Sequence, residues 1–330
     1  MAKLLKKLKG GSLSSTNVME ESGRIFVRKS VSLIENREYG YQRWYSQLKK
    51  IQRYSIMYPG LFPKLLDYGV IDKESYFDIE FYASAVNAYD YLKDCNSQKK
   101  VDIFFKALIT SINTLHKNKF NTSVGSINLY IHEEVEQKLK DCNLEESFVN
   151  FIKNKKIIFN GVEVPSFVEK FSCYKEMLKN SFKETNEIFT HGNMTLENIL
   201  YIPDSNQIIF IDPYEENIID SELAEYSQLL QSSNSHYEIY NESKAKILLN
   251  NISVEVSTPF GIGYFNELLL KYIDNKFNKD QVLVIRLLEI SQFIRMLPFK
   301  MKVDKTKMIF FYGLASFLFN NIEEDIQHER

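Results

Sequence analysis

The sequence predicts an α+β protein in which a small β-rich N-terminal lobe precedes a larger, mainly helical C-terminal lobe. Before about residue 85, short runs such as Arg24–Lys29 (RIFVRK) and Tyr76–Tyr82 (YFDIEFY) are typical of half-buried strands. Beyond that point, apolar residues recur at helical spacing. We therefore assign the N-terminal lobe to residues 1–85 and the C-terminal lobe to residues 86–330, joined near Glu80–Ala83.

The composition is that of a folded protein, and it argues against some classes of binding partner. The chain has 330 residues, 44% of them hydrophobic, which is enough to bury a sizeable core. Its 41 basic and 43 acidic residues nearly balance, which argues against a protein that coats nucleic acid. The three cysteines lie far apart, in neither a disulfide nor a zinc pattern, and this fits a reducing cytoplasm. Since no apolar run approaches the roughly 18 residues of a membrane helix, we expect no stable membrane insertion.

The N-terminal lobe begins with a short basic stretch, Met1–Lys9, which we expect to be a solvated lead into the first strand rather than a membrane-touching helix. A Gly-Gly pair and small polar residues follow, up to Asn17. Ile34–Ile51 is predicted to be helical, because Tyr41, Trp44, Tyr45 and Leu48 fall on one stripe.

The C-terminal lobe is predicted to combine amphipathic helices with two pairs of short strands. The predicted elements are a helix over Val101–Leu115, a hairpin over Ile157–Val164, a helix over Ser166–Asn186, and two strands within Leu200–Asp212. The hairpin prediction rests on Asn160-Gly161, which supplies the two positive-φ residues of a tight turn. The chain beyond is predicted to be helical to Glu324.

The most informative segment is His191–Leu200 (HGNMTLENIL), which is followed by Ile208–Tyr214 (IIFIDPY). A polar loop enters a strand pair, and 14 residues after Asn198 the second strand ends at Asp212. Amide and carboxylate oxygens on adjoining strands suit a hard cation such as Mg²⁺, with phosphate oxygens completing its shell. The alternative is a polar turn between helices and an ordinary Asp at the end of a strand.

These residues resemble the aminoglycoside phosphotransferase and choline kinase superfamily, whose fold is protein-kinase-like. Its catalytic loop has the pattern HGDxxxxN, and a hydrophobic strand ending in IDP follows. This chain keeps the spacing from His191 to Asn198 and the triplet at Ile211-Asp212-Pro213. The resemblance implies that Asn198 and Asp212 bind Mg²⁺ and that His191 braces the loop. It also implies ATP, or another nucleoside triphosphate, as the cosubstrate.

The resemblance extends more weakly into the N-terminal lobe. It implies a phosphate-covering loop within Gly10–Val18 (GGSLSSTNV), where small residues let backbone N–H groups approach phosphates. It also implies that Lys29 contacts the α- and β-phosphates, with Glu38 as its ion-pair partner ahead of Glu35 or Gln42. The residues that this resemblance assigns to the phosphate loop are Gly10, Gly11, Ser12 and Ser14. Taken singly, such glycines are often turns, and a lysine in a strand is often solvated.

A further resemblance concerns the connection between the lobes. Glu80, Phe81 and Tyr82 fall where the family presents backbone groups to the nucleotide base. An ordinary edge strand leaving the first lobe predicts the same residues, so this assignment depends on the resemblance alone.

One position departs from the family pattern. Asn193 stands where the catalytic Asp is expected. An amide oxygen still accepts a hydrogen bond from a substrate hydroxyl, but it cannot act as a carboxylate base. Three explanations are open: an altered variant, a slow natural kinase, and a pseudokinase that binds nucleotide or performs another transfer such as AMPylation. Glu197, beside Asn198, is a weaker candidate for a replacement base.

The sequence therefore supports two hypotheses of different classes. The first is an ATP-dependent phosphotransferase acting on a hydroxyl of a small molecule such as a sugar, an amino alcohol or a polysaccharide precursor. The second is a nucleotide-binding regulatory module that acts on a protein partner. The acidic residues Glu215, Glu216 and Asp220 are interpreted either as contacts for an amine-bearing acceptor or as a solvated turn.

Overall fold

The computed structural model of the chain describes residues 2–8, 14–34, 39–119, 125–183 and 187–328. The predicted α+β class is confirmed, since a sheet-rich N-terminal region is followed by a mainly helical C-terminal region. Four predicted site residues, Gly10, Gly11, Ser12 and Glu38, lie outside the described residues.

Contacts along the chain define two compact units. The first comprises Met1–Tyr91, Asp102–Leu115 and His191–Asn217, and the second comprises Leu92–Val101, His116–Thr190 and Ile218–Arg330. The first unit thus contains the strand-rich N-terminal segment together with the segment that carries the HGN and IDP residues. The predicted lobe boundary at residue 85 stays a prediction.

An antiparallel sheet of five strands lies in the N-terminal segment of the first unit. The strands are β1 (Lys3–Lys7), β2 (Ser15–Glu21), β3 (Arg24–Ser32), β4 (Leu65–Ile71) and β5 (Glu74–Glu80), in the spatial order β1-β2-β3-β5-β4. The N-terminal basic stretch is therefore itself a strand, which the sequence analysis did not predict. All five residues of β1 are exposed, so burial imposes no alternation that could have indicated a strand.

Helix α1 (Tyr39–Met57) packs on one face of this sheet. Ile34, where the helix was predicted to begin, lies in a turn, and the buried stripe of α1 is Trp44, Leu48 and Ile51. These side chains contact Val31 and Phe77 of the central strands. The indole Nε1 of Trp44 also donates to the carbonyl of Lys29 (3.2 Å), so the helix is anchored to β3 by a hydrogen bond as well as by apolar packing.

The other strands form two smaller sheets. They are β6 (Val86–Asn87), β7 (Lys156–Phe159), β8 (Val162–Pro165), β9 (Ile199–Ile202), β10 (Gln207–Phe210), β11 (Lys246–Leu248) and β12 (Asn251–Ser253). In the first unit the order is β10-β9-β6, and in the second it is β11-β12-β7-β8. The predicted hairpin is confirmed as β7–β8, with Asn160 and Gly161 at φ 47° and 84°. The predicted strand pair around residues 203–206 is confirmed as β9–β10.

The second unit is built mainly of helices. The remaining helices of the chain are α2 (Ala88–Asp94), α3 (Gln98–Leu115), α4 (Ser126–Tyr130), α5 (Gln137–Cys142), α6 (Glu146–Ile152), α7 (Phe167–Ser181), α8 (Glu222–Ser233), α9 (Tyr237–Glu242), α10 (Phe260–Lys276), α11 (Lys279–Val303) and α12 (Lys305–His328). A π-helical turn, Ile131–Glu136, connects α4 to α5. The long helix α11 packs against α8 and α12 at the centre of the unit. Among the residues that the structure describes, none of the helices combines the length and the apolar character that crossing a bilayer requires.

Candidate functional site

Lys29 and Asp212, which are 183 residues apart in the sequence, form an ion pair in the first unit. The Nζ atom of Lys29 lies 2.9 Å from Oδ1 of Asp212. Lys29 lies within β3 rather than at its end, opposite Thr16 of β2 and Phe77 of β5, and it is 8% exposed. Two residues that the family resemblance assigned to the site are therefore in direct contact.

The charge of Asp212 is set by two opposing influences. Its side chain is 37% exposed, and the partial desolvation of the carboxylate raises its pKa. The positive charge of Lys29 and the hydrogen bond from its ammonium act against desolvation and leave the pKa of Asp212 below its ordinary value. Asp212 also has a φ of 54°, in the left-handed region that Asp tolerates better than most residues. The side chain is thus an ionised carboxylate held by an unusual backbone conformation.

His191 connects the HGN loop to the chain just before Asp212. Its Nε2 lies 2.7 Å from the carbonyl oxygen of Ile211, and its Nδ1 accepts the backbone N–H of Asn193 (3.2 Å). Because a carbonyl only accepts and an amide N–H only donates, these contacts assign the neutral tautomer with the proton on Nε2. The ring is fully buried and lies near those of Phe62 and Phe210. The bracing role that the resemblance implied for His191 agrees with these contacts.

Gly192 follows in the left-handed region, with φ of 83°. A Cβ atom at this position would lie 2.1 Å from Nδ2 of Asn217 and 2.4 Å from the carbonyl oxygen of Tyr214. The Tyr214 N–H in turn donates to the carbonyl of His191 (2.9 Å). Glycine at 192 therefore permits the loop to lie directly against the segment that follows Asp212.

Asn198 ends a short 3-10 turn, Leu196–Asn198, immediately before β9. Its carbonyl accepts the N–H of Ile211 (2.9 Å), so the backbones at Asn198 and next to Asp212 are paired. Its side-chain Nδ2 donates within the loop, to the Asn193 carbonyl (2.9 Å) and to Oγ1 of Thr195 (3.1 Å). Within the described part of the chain, Oδ1 of Asn198 makes no hydrogen bond, so it is the atom left to face a cation.

Asn193 and Glu197 lie in the same loop and are both partly buried. The backbone carbonyl of Asn193 accepts from Thr195 (2.9 Å) as well as from Asn198. Across the residues that the structure describes, the side-chain amide of Asn193 makes no hydrogen bond, which leaves it available to a ligand. The backbone carbonyl of Glu197 accepts from Nδ2 of Asn87, next to α2 (2.5 Å).

Oxygen atoms are the donors that this site can offer to a cation. In the described ranges, no group of three or more His, Cys, Asp and Glu side chains has metal-site geometry. The carboxylate of Asp212 and Oδ1 of Asn198 are nevertheless hard oxygen donors next to the ends of the paired strands β9 and β10, and such donors suit Mg²⁺ that retains waters and phosphate oxygens as its other ligands.

Residues 80–82 follow the sheet directly. Glu80 is the last residue of β5, pairs with Phe26, and donates its N–H to the carbonyl of Lys64 (3.0 Å). The hydroxyl of Tyr82 donates to Oε2 of Glu80 (2.8 Å). Burial and this hydrogen bond raise the pKa of Tyr82 well above its ordinary value. Phe81 and Tyr82 are half-buried, and their assignment to a nucleotide base stays a prediction.

A cavity of about 530 Å³ lies on the five-stranded sheet. Ser14, assigned to the phosphate loop, lines it together with Arg28, Ser30 and Glu74. Thr16, which pairs with Lys29 across β2 and β3, also lines the cavity.

The sequence analysis missed the polar side of α1. Side chains one helical turn apart reach the segment 212–216: Gln47 contacts Asp212 Oδ1 and the Pro213 carbonyl (both 3.4 Å), and Lys50 donates to the Tyr214 carbonyl. The sequence does contain a polar stripe on α1, opposite Trp44 and Leu48, that includes these contacting residues. Such a stripe ordinarily indicates a helix face exposed to water, so it did not point to the site.

The acidic residues after Asp212 have partners within the protein. Glu215 pairs with Arg53 (3.0 Å), and Glu216 accepts from Ser46 (2.8 Å). In the second unit, Asp220 accepts from the hydroxyl of Thr190 (2.5 Å). The hydrogen bonds of Glu215 and Glu216 are exposed, as the solvated-turn interpretation expects, while contact with an amine-bearing acceptor stays a prediction.

The fold and these contacts define the class of the protein as α+β and kinase-like in architecture. No protein-family model and no curated protein sequence matches the chain. Among solved structures, it is similar to a candidate fructosamine-3-kinase from Haemophilus somnus 129PT. The TM-score is 0.59, the identity is 10%, and the match covers 96% of this chain and 92% of that one. At this identity the similarity establishes the fold alone.

Proposed function

We propose that the protein is a nucleotide-dependent phosphotransferase that transfers the γ-phosphoryl group of ATP to a hydroxyl of a small molecule. The observation that carries this proposal is the contact of Lys29 with Asp212 at 2.9 Å beside the paired backbones of Ile211 and Asn198. The ion pair joins a cation to a carboxylate next to the strand that begins after Asn198, and a cation and metal-binding oxygens are groups that phosphoryl transfer uses around a triphosphate.

Each side chain has a distinct role in this proposal. The Lys29 ammonium contacts phosphate oxygens and offsets their charge. Asp212 and Asn198 hold Mg²⁺, which when bound neutralises charge that develops on the phosphates. His191, through its bond to Ile211, holds the loop and the residue before Asp212 in register. The substrate class is drawn from the structural neighbour, whose name indicates a sugar derivative, and a sugar or related hydroxyl compound is the acceptor we propose.

Asn193 orients the acceptor rather than deprotonating it. Its amide oxygen accepts a hydrogen bond from the acceptor hydroxyl, whose oxygen forms the new bond to phosphorus as the bond from the γ-phosphorus to the ADP oxygen breaks. The hydroxyl proton passes to water or to a phosphate oxygen. Base catalysis is ordinarily worth about 100- to 10,000-fold, so turnover is slow, while positioning and charge stabilisation are retained.

Titration calorimetry with ATP tests the proposal. We expect the chain to bind ATP more tightly with magnesium than with a chelator. Asp212→Ala abolishes the gain that magnesium confers, whereas Asp204→Ala, in the exposed turn between β9 and β10, preserves it. A folded wild-type chain that shows no magnesium-dependent ATP binding would contradict the proposal.

A second candidate is a nucleotide-binding regulatory module. The observation that favours it is the amide at position 193, in a loop that otherwise keeps His191, Gly192 and Asn198. A regulatory module should show the same magnesium-dependent ATP binding as a phosphotransferase. It should show no turnover, even when Asn193 is replaced by Asp. The acceptor panel described in the Discussion separates the two candidates.

A further inference from the structure

The polar side of α1 contacts the segment Asp212–Glu216 at four points. Ser46, Gln47, Lys50 and Arg53 each bond to a different part of it. These side chains recur at helical spacing, so one face of one helix supplies all the contacts. The opposite, apolar face of α1 packs on the sheet that carries Lys29. The helix therefore connects β3 to the chain that follows Asp212.

Lys50 is unusual among these residues because it is buried. Its side chain is 2% exposed, and its ammonium donates to the carbonyl of Tyr214 and lies 3.7 Å from a carboxylate oxygen of Glu215. The ring of Tyr54 lies 5.2 Å from the ammonium. A buried ion pair seldom increases the stability of a fold over an apolar replacement, because desolvation offsets its attraction. Stability alone is thus a weak reason for a lysine here.

Tyr214, whose carbonyl Lys50 contacts, makes several other hydrogen bonds. Tyr214 donates its N–H to the carbonyl of His191 (2.9 Å), and its own carbonyl also accepts from Nδ2 of Asn217 (3.2 Å). The same carbonyl would lie 2.4 Å from a Cβ atom at Gly192. The position of Tyr214 therefore determines where the HGN loop lies relative to the segment beginning at Asp212.

We propose that Lys50 is a positioning residue for the metal ligands of the site. Its ammonium fixes the Tyr214 carbonyl, and Tyr214 fixes both the HGN loop and the segment that begins at Asp212. The spacing between Asp212 and the loop bearing Asn198 then depends on the register of α1. This inference rests on the proposed function, because the proposed function is what makes Asp212 and Asn198 metal ligands. The contacts of Lys50 are observed independently of that function.

The substitution Lys50→Met tests the inference while the Tyr214 carbonyl and Glu215 each keep another partner. The Tyr214 carbonyl keeps its bond from Asn217, and Glu215 keeps Arg53 at 3.0 Å. A methionine of similar length fills the space and retains the contact with the Tyr54 ring. We therefore expect a folded protein whose melting temperature is close to that of the wild type. The matched control is Lys49→Met, an exposed lysine on the same helix.

Two measurements are made on each variant. Calorimetry gives the ratio of ATP affinity with magnesium to that with a chelator, and we expect Lys50→Met to lower this ratio about 10- to 100-fold, as for other residues that orient metal ligands. Affinity in the chelator stays unchanged. Hydrogen exchange on the nucleotide-free protein shows faster exchange of the Tyr214 amide, because its bond to His191 opens more often. Lys49→Met changes neither quantity.

The two measurements separate failure of this inference from failure of the proposed function. If wild-type protein lacks magnesium-dependent ATP binding, the proposed function fails, and exchange at Tyr214 still decides the role of Lys50. The inference is overturned if magnesium increases the ATP affinity of the wild type and of Lys50→Met equally and the Tyr214 amide exchanges slowly in both proteins. Should Lys50→Met fail to fold, Lys50→Gln, which keeps a neutral donor, replaces it with the same expected directions.

Discussion

The imidazole of His191 donates from Nε2 to the carbonyl of Ile211, and the two atoms are 2.7 Å apart. Ile211 directly precedes Asp212, and its N–H donates to Asn198. The loop that contains His191 and the strand end that contains Asp212 are therefore linked from both directions, by a side chain and by the backbone. Four predictions follow from this arrangement and its neighbours.

His191→Phe should destabilise the first unit. Phenylalanine preserves the ring contacts with Phe62 and Phe210 but leaves the buried Ile211 carbonyl and Asn193 N–H without their side-chain partner. Each such group costs about 1–3 kcal/mol. Thermal unfolding followed by circular dichroism measures the loss. His132→Phe, at an exposed position, should change the free energy of unfolding by less than about 0.5 kcal/mol. Equal stability of both variants would contradict the bracing role.

Gly192→Ala should cost more than Gly161→Ala, although both glycines have nearly the same φ, 83° and 84°. The conformational cost, about 1–2 kcal/mol, is common to both. At Gly161 a Cβ atom meets nothing within 4 Å, whereas at Gly192 it meets Asn217 and the Tyr214 carbonyl. The difference between the two melting temperatures isolates the cost of close approach. Equal melting temperatures would show that the loop moves away freely.

Lys29→Met should change how stability depends on acid. In the wild type the folded-state pKa of Asp212 lies below its unfolded value, so the stabilisation is present above about pH 4 and is lost as pH falls through the folded-state pKa. Without the lysine, the charge and the hydrogen bond that do most to lower that pKa are lost. The loss of stability on acidification should therefore be smaller in Lys29→Met than in the wild type.

Melting temperatures of wild type and Lys29→Met across the acid range measure this change. Lys64→Met, an exposed position just before β4, serves as the control and should follow the wild type. Parallel curves for all three proteins would show that Lys29 does not govern the ionisation of Asp212.

Asn193→Asp should raise turnover by about 100- to 10,000-fold on a hydroxyl acceptor, because a carboxylate can take the acceptor proton. ADP formation is measured against a panel of sugars, fructosamines and amino alcohols. Glu197→Gln is made in the chain that keeps Asn193. A complete loss of the residual turnover of that chain would identify Glu197 as the base. Absence of turnover in both the Asn and the Asp form, with ATP binding retained, supports the regulatory module instead.

The sequence predicted elements wherever burial leaves a periodic pattern. The helix α3, the strands β3 and β5 and the hairpin β7–β8 all follow from apolar spacing or from turn residues. The strand β1 was missed because its residues are all exposed, and pairing with β2 rather than burial holds it. The predicted start of α1 at Ile34 was wrong, since Ile34 lies in a turn and is 68% exposed, outside the apolar stripe that indicated the helix.

The candidate site was predictable only where local spacing carries information. The pattern from His191 to Asn198 and the triplet at Asp212 could be recognised along the chain. The contacts of Gln47 and Lys50 could not, because they join residues about 165 positions apart and a polar helix face usually faces water. A single sequence contains no signal that distinguishes a buried lysine from a solvated one.

The indole of Trp44 is the sole tryptophan of the chain, it is 5% exposed, and it donates to the carbonyl of Lys29. All tryptophan emission from this protein therefore originates from a ring that is hydrogen-bonded to the backbone of Lys29, the residue whose ammonium contacts Asp212. The chain carries an intrinsic optical probe, and its emission can follow events at Lys29 in unlabelled protein without the introduction of a dye.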